Sequence, residues 1–256
     1  MELKVMSFNI RCDCDPGTEA WGARFVNLVP LIRKADPDLI GFQEPRPHQY
    51  RDLQNQFSDY GSVGAGRDDG KDAGERAAIF YKKDRFTLLD SGDFWLSETP
   101  DRPSLGWDAV CIRICTFAKL LDKATGKEFV HYNTHLDHVG ATARKQGALL
   151  IRTKMLAETA PAFITGDFNM DEQTEPYQIL TGHGLADAKY SAKATMSHGT
   201  FHGYNPGPDM AEKSPIDYLF FSMGKFEVNS YEVLVNGGEV CFTSDHYPVL
   251  VGMVQV

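Results

Sequence analysis

The sequence predicts an α/β (α+β) fold in which sheets pack on one another and helices lie outside them. Two patterns predict it. Short apolar strand patterns outnumber helical ones, and the helices are separated by pairs of strands, so a simple doubly wound sheet does not fit. Length adds a third observation. A chain of 256 residues can bury roughly 70–75% of its unfolded surface in one large domain, and no linker-like stretch divides it, so residues 1–256 read as a single domain.

Leu3 to Ile10 alternates apolar and polar residues and reads as a strand between packed layers, ending near Asn9. Trp21 to Lys34 places Phe25, Leu28, Val29, Leu31 and Ile32 at helical spacing. Asp36-Pro37-Asp38 stops that helix, and Leu39-Ile40-Gly41-Phe42 follows as a buried strand with Gln43-Glu44 at its end. His48 to Phe57 reads as a short amphipathic helix, and the Gly- and Asp-rich Val63 to Ala73 as a surface loop. Ala77–Tyr81 and Phe86–Leu89 are strands. Ser91 to Trp107, without periodicity, is expected to be a long irregular loop of the kind that often carries function. Val110–Leu121 and Glu128–Thr134 form a hairpin. Thr142 to Thr159 is the clearest helix, and Pro161 to Ile164 the strand after it. Gly166 is expected to turn the chain sharply there, presenting Asp167 and Asn169 on one side. A short helix at Glu175–Thr181, a polar loop from Ala188 to Pro215 and strands at 216–221, 226–235 and 247–256 complete the chain.

Composition bounds the function. At 42% hydrophobic and 24% charged the chain is an ordinary globular one. A net charge of −9 is not the basic footprint of a general nucleic-acid binder, so a nucleic-acid substrate is possible but not indicated. An excess of carboxylates suits divalent cations. The five cysteines, Cys12, Cys14, Cys111, Cys115 and Cys241, form no disulfide framework, and read as reduced thiols of a cytoplasmic protein. There is no apolar signal core and no run of 18 apolar residues, so no membrane association is expected. A monomer is expected.

Polar groups recur at the strand ends: Asn9, Glu44, His135, Asp167 with Asn169, and Asp245-His246, with Asp217 opening a further strand. Each has a bland explanation alone, an Asx turn at Asp167 or a core histidine at 135, but coincidence at so many strand ends is hard to sustain. Together they suit phosphate chemistry. Glu44, assisted by Asn9, would hold a hard divalent cation through oxygen, as Mg²⁺ typically uses one or two carboxylates and keeps waters. His246 suits an acid–base or phosphate-binding role, its tautomer fixed by Asp217 or Asp245. Asp167 would orient or deprotonate water, and Asn169 and His135 would donate to phosphoryl oxygens.

With these residues in place, the chain resembles the endonuclease/exonuclease/phosphatase superfamily, whose fold is that of DNase I. The resemblance runs in order through Met6-Ser7-Phe8-Asn9-Ile10-Arg11, Ile40-Gly41-Phe42-Gln43-Glu44, Asn133-Thr134-His135-Leu136-Asp137, Gly166-Asp167-Phe168-Asn169, Ile216-Asp217-Tyr218 and Ser244-Asp245-His246-Tyr247-Pro248. It implies a four-layer α-β-β-α sandwich, a Mg²⁺ or Mn²⁺ cofactor, and hydrolysis of a phosphoester by in-line attack of water. It also implies Glu44 as principal metal ligand, Asp167 as the positioner of the nucleophile, Asn169 and His135 as phosphate-binding residues, and Asp217 and Asp245 as supports for His246 and the metal. Arg144 stands where relatives often carry a basic residue near the phosphate. Arg11 stands where the apurinic endonuclease branch carries an aspartate, so the chain looks more like the branch of phosphatases, deadenylases and bacterial hydrolases.

The expected substrate is a small phosphorylated molecule or nucleotide. Trp95 and Trp107 are candidates for stacking on it, against the simpler role of loop anchors. A nuclease acting on DNA or RNA, a non-catalytic binding module on the same fold, and a zinc hydrolase using His131, His135 and His138 are the competing readings.

Overall fold

A computed structural model describes residues 1–235 and 242–256, so Cys241 lies outside the described residues. The strands are β1 (Glu2–Asn9), β2 (Leu39–Gln43), β3 (Tyr60–Val63), β4 (Ala77–Lys82), β5 (Phe86–Trp95), β6 (Ile114–Asp122), β7 (Glu128–His135), β8 (Ala162–Asp167), β9 (Leu185–Asp187), β10 (Ala194–Met196), β11 (Asp217–Ser222), β12 (Phe226–Val233) and β13 (Val249–Gln255). The helices are α1 (Trp21–Ala35), α2 (Pro47–Gln56), α3 (Ala141–Ala157) and the short α4 (Glu175–Leu180) and α5 (Ala188–Ser191). Among the described residues no helix is long and apolar enough to cross a membrane.

Two mixed sheets result. One runs β10-β12-β13-β1-β2-β4-β3, the other β5-β6-β7-β8-β11-β9. Alternation along β1 shows how the layers arise. Leu3 and Val5 join a core cluster with Phe129, Phe163 and Leu219 of the other sheet. Met6 and Phe8 point the other way and pack with Leu28 and Ile32 of α1 and Leu53 of α2. On the second sheet, Tyr132 and Ile164 meet Ala148, Ile151 and Met155 of α3. The order is therefore helix, sheet, sheet, helix, the DNase I-like sandwich.

A polar layer runs through the middle. Gln43 donates to Asn133 Oδ1 at 2.7 Å, Asn133 donates to the carbonyls of Phe42 and Ala78, and Thr165 donates to Asn133 Oδ1 at 3.0 Å. These side chains have no solvent exposure, so each needs its partner to offset desolvation. Gly41 makes the layer possible: a Cβ there would lie 2.0 Å from Thr165 Oγ1.

Topology places the site. β1 and β2 are parallel and joined by α1, and β7 and β8 are parallel and joined by α3. Both β-α-β units end their strands at one rim, so Asn9, Gln43, His135 and Asp167 finish there. β11 is antiparallel to β8 with Asp217 opposite Asp167, which brings the start of that strand to the same rim.

Several local expectations change. The loop expected at Ser91–Trp107 begins later, because β5 continues to Trp95. A register shift between Leu88 and Asp90 breaks the alternation that would have revealed it. β6 begins at Ile114, not Val110, and Val63 closes β3 instead of opening a loop. The expected loop 188–215 contains α5, β10 and a 3₁₀ turn at Met210–Glu212. Gly166 does not turn the chain: it lies inside β8, paired with Thr134 and Tyr218, and a Cβ there would meet Thr134 O at 2.6 Å. The sharp conformation falls at Asn169, at φ 47°.

Candidate active site

At the rim, a cleft of about 280 Å³ is lined by Glu44, His135, Asp167, Asn169, Asp245 and His246, with Arg11, Arg67, Glu75 and Arg113. Arg11, Glu44 and Asn169 all have positive φ, at 58°, 69° and 47°. Such backbone is costly for residues with side chains and gathers at functional sites.

Glu44 is buried and firmly held. Asn9 Nδ2 donates to its Oε1 at 3.0 Å, and the Cys12 amide donates to its Oε2 at 2.8 Å. Burial works to raise its pKa, but these donors, with His246 and Arg11, outweigh it and keep the carboxylate below its ordinary range. Asn9 Nδ2 also donates to Asp167 Oδ2 at 2.9 Å, while its Oδ1 accepts from the Arg11 amide. Asn9 thus bridges the two carboxylates through nitrogen, as the hydrogen-bond network assigns it, and does not turn the oxygen expected for a metal ligand toward Glu44.

Asp167 is the crossing point. Its Oδ1 accepts from the Asn169 amide at 3.0 Å, an Asx turn, while its Oδ2 faces Asn9, His135 Nε2 at 3.4 Å and His246 Nε2 at 3.7 Å. The bland reading and the functional one therefore hold together. Burial, then the nearby Asp217, push its pKa up to about 7. His246 Nδ1 pairs with Asp217 Oδ2 at 2.8 Å, so Asp217 and not Asp245 holds the ring. Burial opposes protonation of His246, but Asp217, Asp167 and Asp245 prevail and push it up to about 10. Asp245 lies 4.0 Å from His246 Nε2, accepts from Ser244 and sits 3.7 Å from Arg11.

Asn169 Nδ2 donates to the Leu136 carbonyl at 3.1 Å and to His135 Nε2 at 3.0 Å. That leaves the proton of a neutral imidazole on Nδ1, which is buried without a partner. Burial, then Arg113 and Arg67, hold His135 well below its ordinary pKa.

Three expected binding residues lie elsewhere. Trp95 is buried against Ala77 and Ile114, its Nε1 donating to the Arg67 carbonyl at 2.7 Å, so it anchors the loop that carries Arg67. Trp107 does not line the cleft; its amide donates to Glu98. Arg144 Nη1 donates to the Asp137 carbonyl at 2.9 Å and braces the turn before α3. Nor do the three histidines of the zinc reading converge. His131 lies between the sheets, bonded to Thr165 at 2.8 Å and stacked on Phe163.

Sequence reasoning missed the cations of the cleft, because Arg67 and Arg113 sit in stretches without a motif. It also missed Arg24, fully buried in α1, whose guanidinium donates to the carbonyls of Glu19, Ile10, Arg11 and Cys12. That cage fixes the turn that aims the Cys12 amide at Glu44. Thirteen residues after Arg11, an arginine inside an apolar helix face was the available signal.

The donor set fits a hard cation. Ligand atoms of Glu44, His135 and Asp167 lie within 4.8 Å of one another, as do those of Asp167, Asp217 and His246. Burial, with Asp217 beside Asp167 and Glu44 beside Asp245, raises both carboxyls, and a divalent cation would relieve that repulsion.

A model of the "Endonuclease/Exonuclease/phosphatase family" matches residues 6–246. The chain belongs to the endonuclease/exonuclease/phosphatase family. A family structure from Bacteroides vulgatus is 40% identical over all of both chains, with a TM-score of 0.94. A mannosyl-6-phosphatase of Bacteroides thetaiotaomicron is 38% identical over 98% of this chain and 99% of its own, with a TM-score of 0.93. A protein of Acanthamoeba polyphaga mimivirus is 28% identical over 162 residues, so this chain spans 60% of that relative's length. Membership makes the protein a phosphoric ester hydrolase by family, and the site described above occupies the rim where its strand ends meet.

Proposed function

We propose that the protein hydrolyses a phosphoester of a small phosphorylated molecule, with a divalent cation, Mg²⁺ or Mn²⁺, and water as nucleophile. One observation carries the reading. Asp167 Oδ2 lies between Asn9, which ties it to Glu44, and the His246–Asp217 pair, at the floor of an open cleft. A buried carboxylate whose proton affinity is raised by burial and by Asp217 is placed to take a proton from water. The His246 imidazolium, held by Asp217, supplies positive charge where a phosphoryl oxygen gains negative charge. Glu44 would hold the cation, which when bound polarises the phosphoryl group and stabilises the leaving oxygen. A cleft of about 280 Å³ suits a small substrate better than a polymer, and the similarity to a mannosyl-6-phosphatase supports a phosphorylated sugar.

The test is a hydrolysis screen of sugar phosphates, chromogenic phosphomonoesters and phosphodiesters, and nucleic acids, with Mg²⁺, with Mn²⁺ and with chelator. Turnover of a small phosphoester that chelator abolishes is expected. No turnover on any substrate, with His246→Ala indistinguishable from wild type, would overturn the enzymatic reading in favour of a binding module.

A further inference from the structure

The cleft contains a guanidinium whose donors the protein does not fully use. Arg11 is paired with Asp15 at 2.8 Å, and Arg67 with Glu75 at 2.6 Å. Arg113 is 5% exposed, and its nearest carboxylate is Asp137, at 3.6 Å. That carboxylate is already engaged: its two oxygens accept from the amides of Val110, Cys111, Val139 and Gly140. Four amide bonds use its acceptor positions and leave little for a guanidinium. Among the described residues the one side-chain hydrogen bond of Arg113 joins its Nη2 to His138 Nδ1 at 3.1 Å, a neutral partner when it accepts.

Unused donors cluster around it. Nε of Arg113 (3.6 Å from Asp137 Oδ2), Nε of Arg67 (3.8 Å from Asp68 Oδ1) and Nδ1 of His135 are all buried without a hydrogen bond. These three residues line both the cleft and a smaller recess sharing part of its wall. Buried donors without acceptors are costly, so several in one place point to an acceptor-rich ligand. Glu75 is the carboxylate nearest Arg67 here, and it serves that side chain.

A phosphomonoester near neutral pH carries almost two negative charges and three non-bridging oxygens, because its second pKa is about 6. A phosphodiester carries one charge and two such oxygens. We infer that Arg113, flanked by Arg67, binds the third non-bridging oxygen of a phosphomonoester dianion and so makes the protein prefer monoesters to diesters. The inference rests on the phosphoesterase reading above and narrows its substrate class. A planar guanidinium with a fixed fork of donors suits such a group better than an ammonium. An esterified oxygen in the same place offers no negative charge and brings a carbon substituent against a buried cation.

The experiment compares p-nitrophenyl phosphate with bis(p-nitrophenyl) phosphate, with Mg²⁺ at pH 7.5, for wild type, Arg113→Met and Arg113→Lys. Wild type is expected to prefer the monoester. Arg113→Met should lower kcat/KM for the monoester about 30- to 100-fold, and for the diester only about threefold. Arg113→Lys should fall between. Calorimetric titration with inorganic phosphate in the presence of chelator should show binding weakened about tenfold or more by Arg113→Met. Thermal melts identify a variant that fails to fold, in which case Arg113→Lys carries the comparison. Equal losses on both esters, unchanged phosphate binding, or a wild-type preference for the diester would overturn the inference while leaving the phosphoesterase reading standing. Hydrolysis of neither ester nor any other phosphoester by wild type would overturn that reading itself.

Discussion

His246 Nδ1 lies 2.8 Å from Asp217 Oδ2, a contact that joins the two sheets across the rim. Asp217 opens β11 of the six-stranded sheet, and His246 precedes β13 of the seven-stranded one. The ring nitrogen left over faces Asp167 at 3.7 Å. If this pair supplies the positive charge at the phosphoryl group, His246→Ala should lower kcat by about 10²- to 10⁴-fold. Asp217→Asn should cost less, because the ring remains but loses its carboxylate. Steady-state kinetics with saturating Mg²⁺ measures both; an Asp217→Asn loss larger than that of His246→Ala would contradict the order.

Glu44 and Asp167 divide their roles in a way kinetics can separate. Glu44→Gln should raise the Mg²⁺ concentration for half-maximal activity by about tenfold or more, with a smaller change in kcat at saturating metal. Asp167→Asn should chiefly lower kcat, since an amide cannot take a proton from water. A Mg²⁺ titration of each variant checks the assignment, and equal effects on both quantities would count against it.

Arg24 is a structural prediction with a functional consequence. Arg24→Met leaves several buried carbonyls of the 10–12 turn without donors and should destabilise the fold by about 3–4 kcal/mol, read as a lower denaturant midpoint. Activity of the folded fraction should fall too, because the Cys12 amide would no longer be aimed at Glu44. Full activity per folded molecule would show that the cage serves stability alone.

His131 predicts a pH dependence of stability. Burial lowers its pKa from an ordinary 6.5 to about 3. The folded value is depressed, so this group's share of stability is fully present above pH 6.5. As pH falls the unfolded chain takes up a proton that the folded one does not, and stability is lost until about pH 3. The slope from this group alone is about 1.4 kcal/mol per pH unit. Urea unfolding of wild type and His131→Gln at several pH values between 7 and 4 checks it: the variant should show the shallower dependence.

The chain's own pattern reached far at the level of elements. Alternation in β1 and helical spacing in α1 and α3 were legible because each buries one face, and burial writes a period into the sequence. β5 was legible only as far as its bulge, since the extra residue shifts the phase of everything after it. Gly166 was misread because a glycine demanded by packing against Thr134 looks, in sequence, like a glycine demanded by a turn.

The site divides in the same way. Which residues stand at the strand ends can be read along the chain: Asn9, Glu44, His135, Asp167, Asn169, Asp217, Asp245 and His246 all line or flank the one rim. The packing of the two sheets settles how they pair. It gave Asp217, not Asp245, to His246, and turned Asn9 into a bridge between two carboxylates. It also left Trp95, Trp107 and Arg144 outside the cleft lining, the first and last as braces of neighbouring turns, and brought Arg67 and Arg113 into it. The reason is physical. Strand alternation and chain direction are local and can be read along the chain, whereas the partner of a buried polar group is whatever the second sheet places within about 3 Å, and hydrogen bonding is decided at that distance.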